Sequence, residues 1–193
     1  MRPALIVVDV QRDFCPGGAL PVPKGDQVVP VLNEYARRFW EKGHPVYASR
    51  DWHPRRTTHF REFGGAWPAH CVQGEPGAEF HPDLRLPEGT IVVSKGTGPE
   101  EDAYSAFQAR GPAGEPLADL LRREGVDHVY VGGLATDYCV RATVLDALRN
   151  GFAATFLVDA SRGVNLEPGD AEEAIADMVR AGADVATLER LDL

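Results

Sequence analysis

Residues 4–9 read Ala-Leu-Ile-Val-Val-Asp, five apolar residues followed at once by a carboxylate. An unbroken apolar run of this length is typical of a strand buried on both faces, as strands of a parallel sheet are. Further runs of this kind occur at residues 46–49, 90–94, 129–131, 153–158 and 185–188. Because helix-like segments separate most of these runs, and parallel neighbours need long crossovers, the pattern predicts a three-layer α/β domain.

The intervening helices are predicted from apolar residues at helical spacing and from glycines just past the helix ends. They occupy residues 28–39, 117–124 and 136–150, and a fourth helix follows Pro168. We expect Asp26 and Thr136 to cap the first and third of these helices. The segment 52–89 lacks such a pattern, and since loops of this length in a compact domain are usually functional, we predict an ordered functional loop there.

Composition excludes several classes of protein. The chain has 193 residues, with 20 Lys+Arg against 29 Asp+Glu and a net charge of −9. The length predicts one domain, residues 1–193, and the acidic balance argues against nucleic-acid binding. No apolar run approaches the roughly 18 residues of a membrane span. The three cysteines are an odd number, which favours a reducing cytoplasm over a disulfide framework.

Polar residues leave the predicted strands at their carboxyl ends, which is where open parallel sheets bind ligands. Asp9 follows the first strand, Asp51 and His53 follow the second, Lys95 follows the third, and Cys139 comes shortly after the fourth. Since these ends meet at one edge, we expect four kinds of group to lie together there. They are the Asp9 carboxylate, the possible metal ligands Asp51 and His53, the Lys95 ammonium and the Cys139 thiol.

Cys139 is the candidate nucleophile. In a helix capped by Thr136 the thiol would lie within the first turn, where the helix dipole lowers a thiol's pKa. Buried structural cysteines are common, but the neighbouring Asp9 and Lys95 favour a catalytic role. Asp9 would be the general base and Lys95 its ion-pair partner. The alternatives are a purely structural ion pair between these two residues or an aspartate that caps a loop.

A second group of residues has the side chains of a metal site. Asp51 and His53 are two residues apart, His59 follows, and His70 ends the run Trp67-Pro68-Ala69-His70. One aspartate and three histidines suit zinc, iron(II) or manganese. The spacing is not that of a zinc finger, and solvated loop histidines are the alternative.

A family resemblance rests on six motifs: Asp9-Val10-Gln11-Arg12-Asp13-Phe14, Asp51-Trp52-His53, Trp67-Pro68-Ala69-His70-Cys71, Lys95-Gly96, Tyr104-Ser105 and Ala135-Thr136-Asp137-Tyr138-Cys139-Val140. Together they resemble the nicotinamidase (pyrazinamidase) branch of the isochorismatase-like cysteine hydrolases. The likeness extends from Ala4 to the last helix. It implies a six-stranded parallel sheet flanked by helices in an α/β/α arrangement, with 52–89 as the metal and substrate loop.

The resemblance also implies roles for individual residues. Asp9, Lys95 and Cys139 match a catalytic triad, and the backbone N–H groups of Ala135 and Cys139 match an oxyanion hole. The remaining matches are the metal ligands Asp51, His53, His59 and His70, of which His59 varies among relatives, and the substrate-binding residues Phe14, Leu20, Trp67, Tyr104 and Leu134. The Leu134–Ala135 bond matches a cis peptide, and Tyr138 stands where some relatives carry histidine.

The implied activity is hydrolysis of nicotinamide, or of pyrazinamide-like analogues, to the acid and ammonia through a cysteine thioester. The implied cofactor is one divalent ion that holds the pyridine nitrogen, zinc first, with iron(II) or manganese as alternatives. The small-molecule substrate is the expected partner, and many members form homo-oligomers. Nucleic acid and membranes are not expected partners.

Two rival functions follow from the same residues. A different hydrolase of the superfamily would act on a carbamoyl, ureido or vinyl-ether substrate, and such relatives generally lack the metal cluster. A metal-binding or redox-sensing module would oxidise Cys139 without turnover. No second cysteine stands at CxxC spacing to resolve such an oxidation, which argues against a sensor.

Overall fold

Six strands form one sheet at the centre of the computed structural model, which describes residues 1–193. They are β1 (Pro3–Val8), β2 (Val46–Asp51), β3 (Ile91–Lys95), β4 (His128–Leu134), β5 (Ala153–Arg162) and β6 (Asp184–Ala186). The strand order is β3-β2-β1-β4-β5-β6, and every neighbouring pair is parallel. The predicted six-stranded parallel sheet is therefore confirmed.

Helices cover both faces of this sheet. They are α1 (Val28–Glu41), α2 (Leu117–Arg123), α3 (Arg141–Arg149) and α4 (Asp170–Arg180), and a π-helical turn at Thr136–Val140 leads into α3. Leu5 and Val7 pack with α1 on one face, whereas Ala4, Ile6 and Val8 pack with α2, α3 and α4 on the other. β1 is therefore buried on both faces, as its unbroken apolar run predicted.

The two predicted N-caps are wrong. The residue before α1 is Gln27, and Asp26 belongs to a short 3-10 turn that precedes the helix. Thr136 is the first residue of the π-helical turn, and its hydroxyl is 2.6 Å from the Ser161 hydroxyl on β5. The hydroxyl is therefore bonded to the sheet and does not cap the helix.

The long connection between β2 and β3 contains only short 3-10 turns, at Arg61–Phe63 and Pro76–Ala78. Backbone hydrogen bonds fold it back on itself: His53 N–H donates to the Cys71 carbonyl (2.9 Å), and Gln73 N–H donates to the His53 carbonyl (2.8 Å). This pairing brings the two ends of the segment together beside the strand ends. None of the helices is long and apolar enough to cross a membrane.

Candidate active site

Three adjacent strands end in the charged groups of the site. Asp51 and Lys95 are paired residues of β2 and β3, and Asp9 follows β1. The Lys95 ammonium donates to Asp9 Oδ2 at 2.6 Å and also to Asp51 Oδ1. All three side chains are buried. One ammonium thus joins two carboxylates that the parallel register has placed side by side.

Asp9 turns its carboxylate toward this ammonium through a left-handed backbone conformation, with φ 51°. Aspartate is among the few side chains that adopt this region readily. Its Oδ1 accepts a hydrogen bond of 2.7 Å from the Ser49 hydroxyl. Burial raises the pKa of Asp9, and the Lys95 charge and the Ser49 hydrogen bond oppose that rise.

Cys139 reaches the same place from β4. Gly133, near the end of that strand, has φ 126°, and a Cβ there would overlap the Val8 carbonyl of β1. Only glycine allows the two strands to run this close, and the π-helical turn that carries Cys139 begins three residues later. The Leu134–Ala135 peptide is cis, as expected. Cys139 Sγ lies 3.7 Å from the Lys95 ammonium.

The electrostatics of Cys139 differ from the prediction. Burial raises the pKa of the Cys139 thiol well above its ordinary value, the Lys95 charge opposes this, and the carboxylates of Asp9 and Asp51 add to it. The predicted lowering of this pKa is therefore wrong, because burial beside two carboxylates outweighs the helix position. A raised pKa favours the neutral thiol over the thiolate, so reaction at this sulfur requires a proton acceptor within reach.

The carboxylate of Asp51 is shared between two groups. Its Oδ1 accepts from Lys95, whereas Oδ2 lies 3.3 Å from His53 Nε2 and 3.6 Å from His70 Nε2. Although burial alone would raise it, the pKa of Asp51 is held well below its usual value by Lys95 and by the two histidines. The same two carboxylates keep the pKa of Lys95 well above its usual value despite burial. Asp51 therefore connects the Asp9–Lys95–Cys139 group with the histidines.

Three buried histidines form a second group next to Asp51. The ligand atoms of His53, His59 and His70 all lie within 4.8 Å of one another. Each ring uses Nδ1 for another contact: His53 with the Gly96 carbonyl (3.0 Å), His70 with the Pro68 carbonyl (2.8 Å), and His59 with the Asp102 carboxylate. A Cβ at Gly96 would overlap the His53 ring, so this close contact requires glycine.

This histidine cluster can hold a metal ion. Nitrogen ligands from three imidazoles, with Oδ2 of Asp51 beside them, are the donor set that zinc and related divalent ions prefer. Engagement of the second ring nitrogen is the usual arrangement around a ligating histidine, because it fixes the ring and the tautomer. The predicted ligand residues therefore come together in a geometry that fits a divalent ion.

A cavity joins the Cys139 thiol to His59 and His70. It is lined by the predicted residues Phe14, Leu20, Asp51, His59, Trp67, His70, Tyr104, Leu134, Ala135 and Cys139, and also by Pro21, Val22, Ala103, Tyr138 and Val164. Most of these side chains are apolar and a few are polar or ionisable, which is typical of a small-molecule site. Trp67 Nε1 donates to the Tyr104 hydroxyl (3.0 Å), so two walls of the cavity are joined.

Several residues that matter to the site were missed by the sequence analysis. Gln11 is fully buried, and its amide both accepts from Asp51 N–H (2.9 Å) and donates to the Asp51 carbonyl (2.8 Å) and the Ala78 carbonyl (2.9 Å). Asp13 accepts from Cys71 N–H (2.8 Å) and Ala19 N–H (3.1 Å). Gln11 and Asp13 belong to the first quoted motif, but nothing in their spacing showed what they bind.

Residues to which no role was given stay outside the cavity. Cys15 and Cys71 are buried free thiols, and burial raises the pKa of Cys15 to about 11. His128 Nε2 is paired with the Thr155 hydroxyl at 2.8 Å, on strands β4 and β5.

Comparison with known proteins points to one family. The isochorismatase domain matches residues 3–190. The chain is 42% identical to the nicotinamidase of Escherichia coli (strain K12), over 96% of this chain and 94% of that protein. It is 44% identical to the nicotinamidase/pyrazinamidase of Mycobacterium tuberculosis (strain ATCC 25618 / H37Rv), over 85% of this chain and 88% of that protein.

A solved structure is similar over almost the whole chain. The pyrazinamidase of Pyrococcus horikoshii in complex with zinc is 51% identical, covers 97% of this chain and 100% of its own, and superposes with a TM-score of 0.90.

Proposed function

This chain belongs to the isochorismatase domain family, and from that premise we propose that it is a nicotinamidase that hydrolyses nicotinamide to nicotinate and ammonia. Pyrazinamide-like analogues would react in the same way. The observation that carries the proposal is the placement of the Cys139 thiol and the His59–His70 pair in one apolar cavity. A planar ring amide fits this arrangement, with its ring nitrogen toward the histidines and its carbonyl carbon at the sulfur.

The reaction begins with a proton transfer from Cys139 to Asp9. The raised pKa of each group matches this role: the thiol does not ionise unaided, and the Asp9 carboxylate accepts a proton more readily than an ordinary aspartate. Lys95, which contacts the sulfur and both carboxylates, stabilises the thiolate that results. The sulfur then attacks the amide carbon.

Bond breaking follows from the same groups. Negative charge develops on the amide oxygen, and the N–H groups of Ala135 and Cys139 stabilise it, a contribution of roughly 2.7–4 kcal/mol per donor in comparable sites. The C–N bond breaks, Asp9 returns its proton to the nitrogen, and ammonia leaves. A water that gives a proton to Asp9 attacks the thioester, nicotinate leaves, and the proton returns to sulfur.

The remaining groups orient the substrate. Phe14 and Trp67 contact the ring faces, and each good aromatic contact contributes about 0.5–1.5 kcal/mol. We assign His53, His59, His70 and Asp51 as ligands of one divalent ion, zinc before iron(II) or manganese. When bound, such an ion supplies an open coordination position for the ring nitrogen. Fixed orientation of this kind is a major source of rate in a two-partner reaction.

The proposal extends to the chain as a whole. Residues 1–193 act as one hydrolase domain in which the segment 52–89 supplies metal and substrate contacts. A cytoplasmic location agrees with three cysteines that are all free thiols. Self-association of the chain stays a prediction.

The test measures ammonia and nicotinate release from nicotinamide by the purified protein, together with elemental analysis for zinc, iron and manganese. We expect stoichiometric release of both products and about one metal ion per chain. Hydrolysis of an N-carbamoyl amine without hydrolysis of nicotinamide would contradict the proposal and support the rival hydrolase. Turnover that persists in Cys139→Ala would contradict the mechanism.

A further inference from the structure

The three histidines of the cluster are held in two different ways. The Nδ1 atoms of His53 and His70 contact main-chain carbonyls, which no substitution of a side chain removes. The Nδ1 atom of His59 contacts the carboxylate of Asp102, a side chain 43 residues away. The position of His59 therefore depends on a second loop, and on one residue of that loop.

That loop, residues 96–103, follows β3 and lies over the beginning of the 52–89 segment. Thr58 N–H donates to the Pro99 carbonyl at 2.8 Å, next to the Asp102–His59 contact. Thr97 N–H donates to Glu101 Oε2 at 3.0 Å, which closes the loop on itself. Two neighbouring contacts thus join the loop to residues 58 and 59. His59 itself is buried, whereas most of the Asp102 side chain faces solvent.

We propose that Asp102 is a positioning residue that makes His59 a metal ligand. As an acceptor at Nδ1, the Asp102 carboxylate fixes the tautomer whose proton is on Nδ1, so the Nε2 lone pair remains free to face His53 and His70. It also fixes the plane of the ring. Carboxylate contacts of this kind increase the basicity of a ligating imidazole. The inference rests on the proposed function in one respect, since it requires that the histidine cluster binds a metal ion.

This role predicts a specific change in metal affinity. Loss of such an outer partner typically weakens metal binding 10–100-fold, so we expect about that loss for Asp102→Ala. Asp102→Asn keeps an acceptor oxygen but loses the charge, and its loss should be smaller. Glu100→Ala is the matched control, because it removes the same charge from the same exposed loop without a contact to a histidine.

The experiment measures zinc affinity of the metal-free full chain by competition with a chromophoric chelator, for these three variants and for His59→Ala. We expect Glu100→Ala to bind like the wild type. In a His59→Ala background, Asp102→Ala should cause no further loss, because the contact no longer exists. Three results would overturn the proposal. Asp102→Ala could leave zinc affinity unchanged, it could weaken zinc binding as much in the His59→Ala background as in the wild type, or Glu100→Ala could weaken zinc binding as much as Asp102→Ala does.

The result is separable from the proposed function. If the wild type binds zinc and Asp102→Ala weakens it, but nicotinamide is not hydrolysed, the positioning role stands and only the activity is wrong. If His53→Ala binds zinc as well as the wild type does, the cluster is not the metal site and both proposals fail. Thermal unfolding of each metal-free variant shows whether the substitution has changed the fold itself.

Discussion

The strand ends and the segment 52–89 supply the two halves of the site by different means. Asp9, Asp51 and Lys95 follow or end adjacent parallel strands, so the register of the sheet places them. His59 and His70 lie on a segment that contains only short 3-10 turns, and contacts with loop residues hold their rings: His59 with the Asp102 carboxylate and His70 with the Pro68 carbonyl. The difference shows that Asp9, Asp51 and Lys95 have a rigid support, whereas His59 and His70 depend on individual contacts.

The largest expected effect is a loss of turnover without a loss of zinc affinity, which would distinguish the two halves of the site. Cys139→Ala removes the nucleophile and should lower kcat by at least about 10⁴-fold. Asp9→Asn removes the base and should lower it about 10²–10⁴-fold. Neither variant should change zinc affinity, because neither residue contacts a histidine. Ammonia release and chelator competition test both statements.

Cys15→Ala is the matched control, since this thiol is also buried but does not line the cavity. It should retain turnover. A weakened zinc site in Cys139→Ala would show that the two halves are coupled more strongly than the comparison states.

Metal removal is the complementary change. A chelator should lower turnover about 10²-fold, because the ring loses its fixed orientation. The sheet should stay folded. Rebinding at a free zinc concentration of 100 Kd should stabilise the fold by about 2.7 kcal/mol, or roughly 5–11 °C in Tm.

Three measurements on the protein before and after zinc is restored test these expectations. Turnover tests the role in catalysis, circular dichroism tests whether the sheet stays folded, and thermal unfolding measures the shift in Tm. If the chelated protein loses its secondary structure, the metal stabilises the sheet in addition to orienting the substrate. The segment 52–89 would then not be independent of the strand ends.

Gln11 joins the two halves, since its amide bonds both Asp51 at the strand end and Ala78 on the loop. Gln11→Met leaves buried main-chain groups without partners, each at a cost of about 1–3 kcal/mol. We expect a loss of about 3 kcal/mol, or roughly 6–12 °C in Tm.

The matched control is Gln73→Met. Gln73 makes a comparable amide bond to the Trp52 carbonyl at 2.8 Å, but the residue is exposed. We expect less than about 0.5 kcal/mol there. Equal losses in the two variants, measured by denaturant unfolding, would show that burial is not what makes Gln11 important.

The smallest effect concerns the pH profile. Ser49 donates to ionised Asp9 and lowers the pKa of that carboxyl. Ser49→Ala should therefore raise this pKa. Because a protonated Asp9 cannot act as a base, the variant should become active only at a higher pH than the wild type. The acid limb of the kcat/KM profile should move to higher pH.

Ser161→Ala, which removes a buried hydroxyl bonded to the Gly133 carbonyl at 2.9 Å, should leave this limb in place. A limb that does not move in Ser49→Ala, or that moves toward lower pH, would show that Asp9 is not the titrating base.

The same contrast explains what could be predicted from the sequence. Parallel strands end together, so the convergence of Asp9, Asp51 and Lys95 followed from short apolar runs and the residues after them. The grouping of His59 with His70 came from their residue types and from the family resemblance, and the contacts that bring the two together join distant residues that no spacing rule predicts. Val164 lines the cavity just beyond β5, which extends past the predicted strand 153–158, and as an apolar residue it gave no signal to a search for polar residues at strand ends.

Other parts depend on three-dimensional contacts that no local pattern records. Thr136 has the residue type of an N-cap, but Ser161 of β5 competes for its hydroxyl. The pKa of Cys139 depends on burial and on two carboxylates from other strands, which outweigh the local helix effect. Asp102 stands in an exposed acidic run, where its sequence context resembles ordinary surface charge.

The close approach of β4 to β1 at Gly133 has a consequence for any attempt to redesign this catalyst. A Cβ at Gly133 would overlap the Val8 carbonyl, so main-chain contact between two strands contributes to the distance between the Cys139 sulfur and the Asp9 carboxylate. We expect changes to side chains around the cavity to alter which substrates enter more than they alter this distance. Even a methyl group at residue 133 would act as a wedge that separates proton donor from proton acceptor. We therefore expect substrate range to depend mainly on the side chains that line the cavity, and the reactive geometry mainly on the main chain at residue 133.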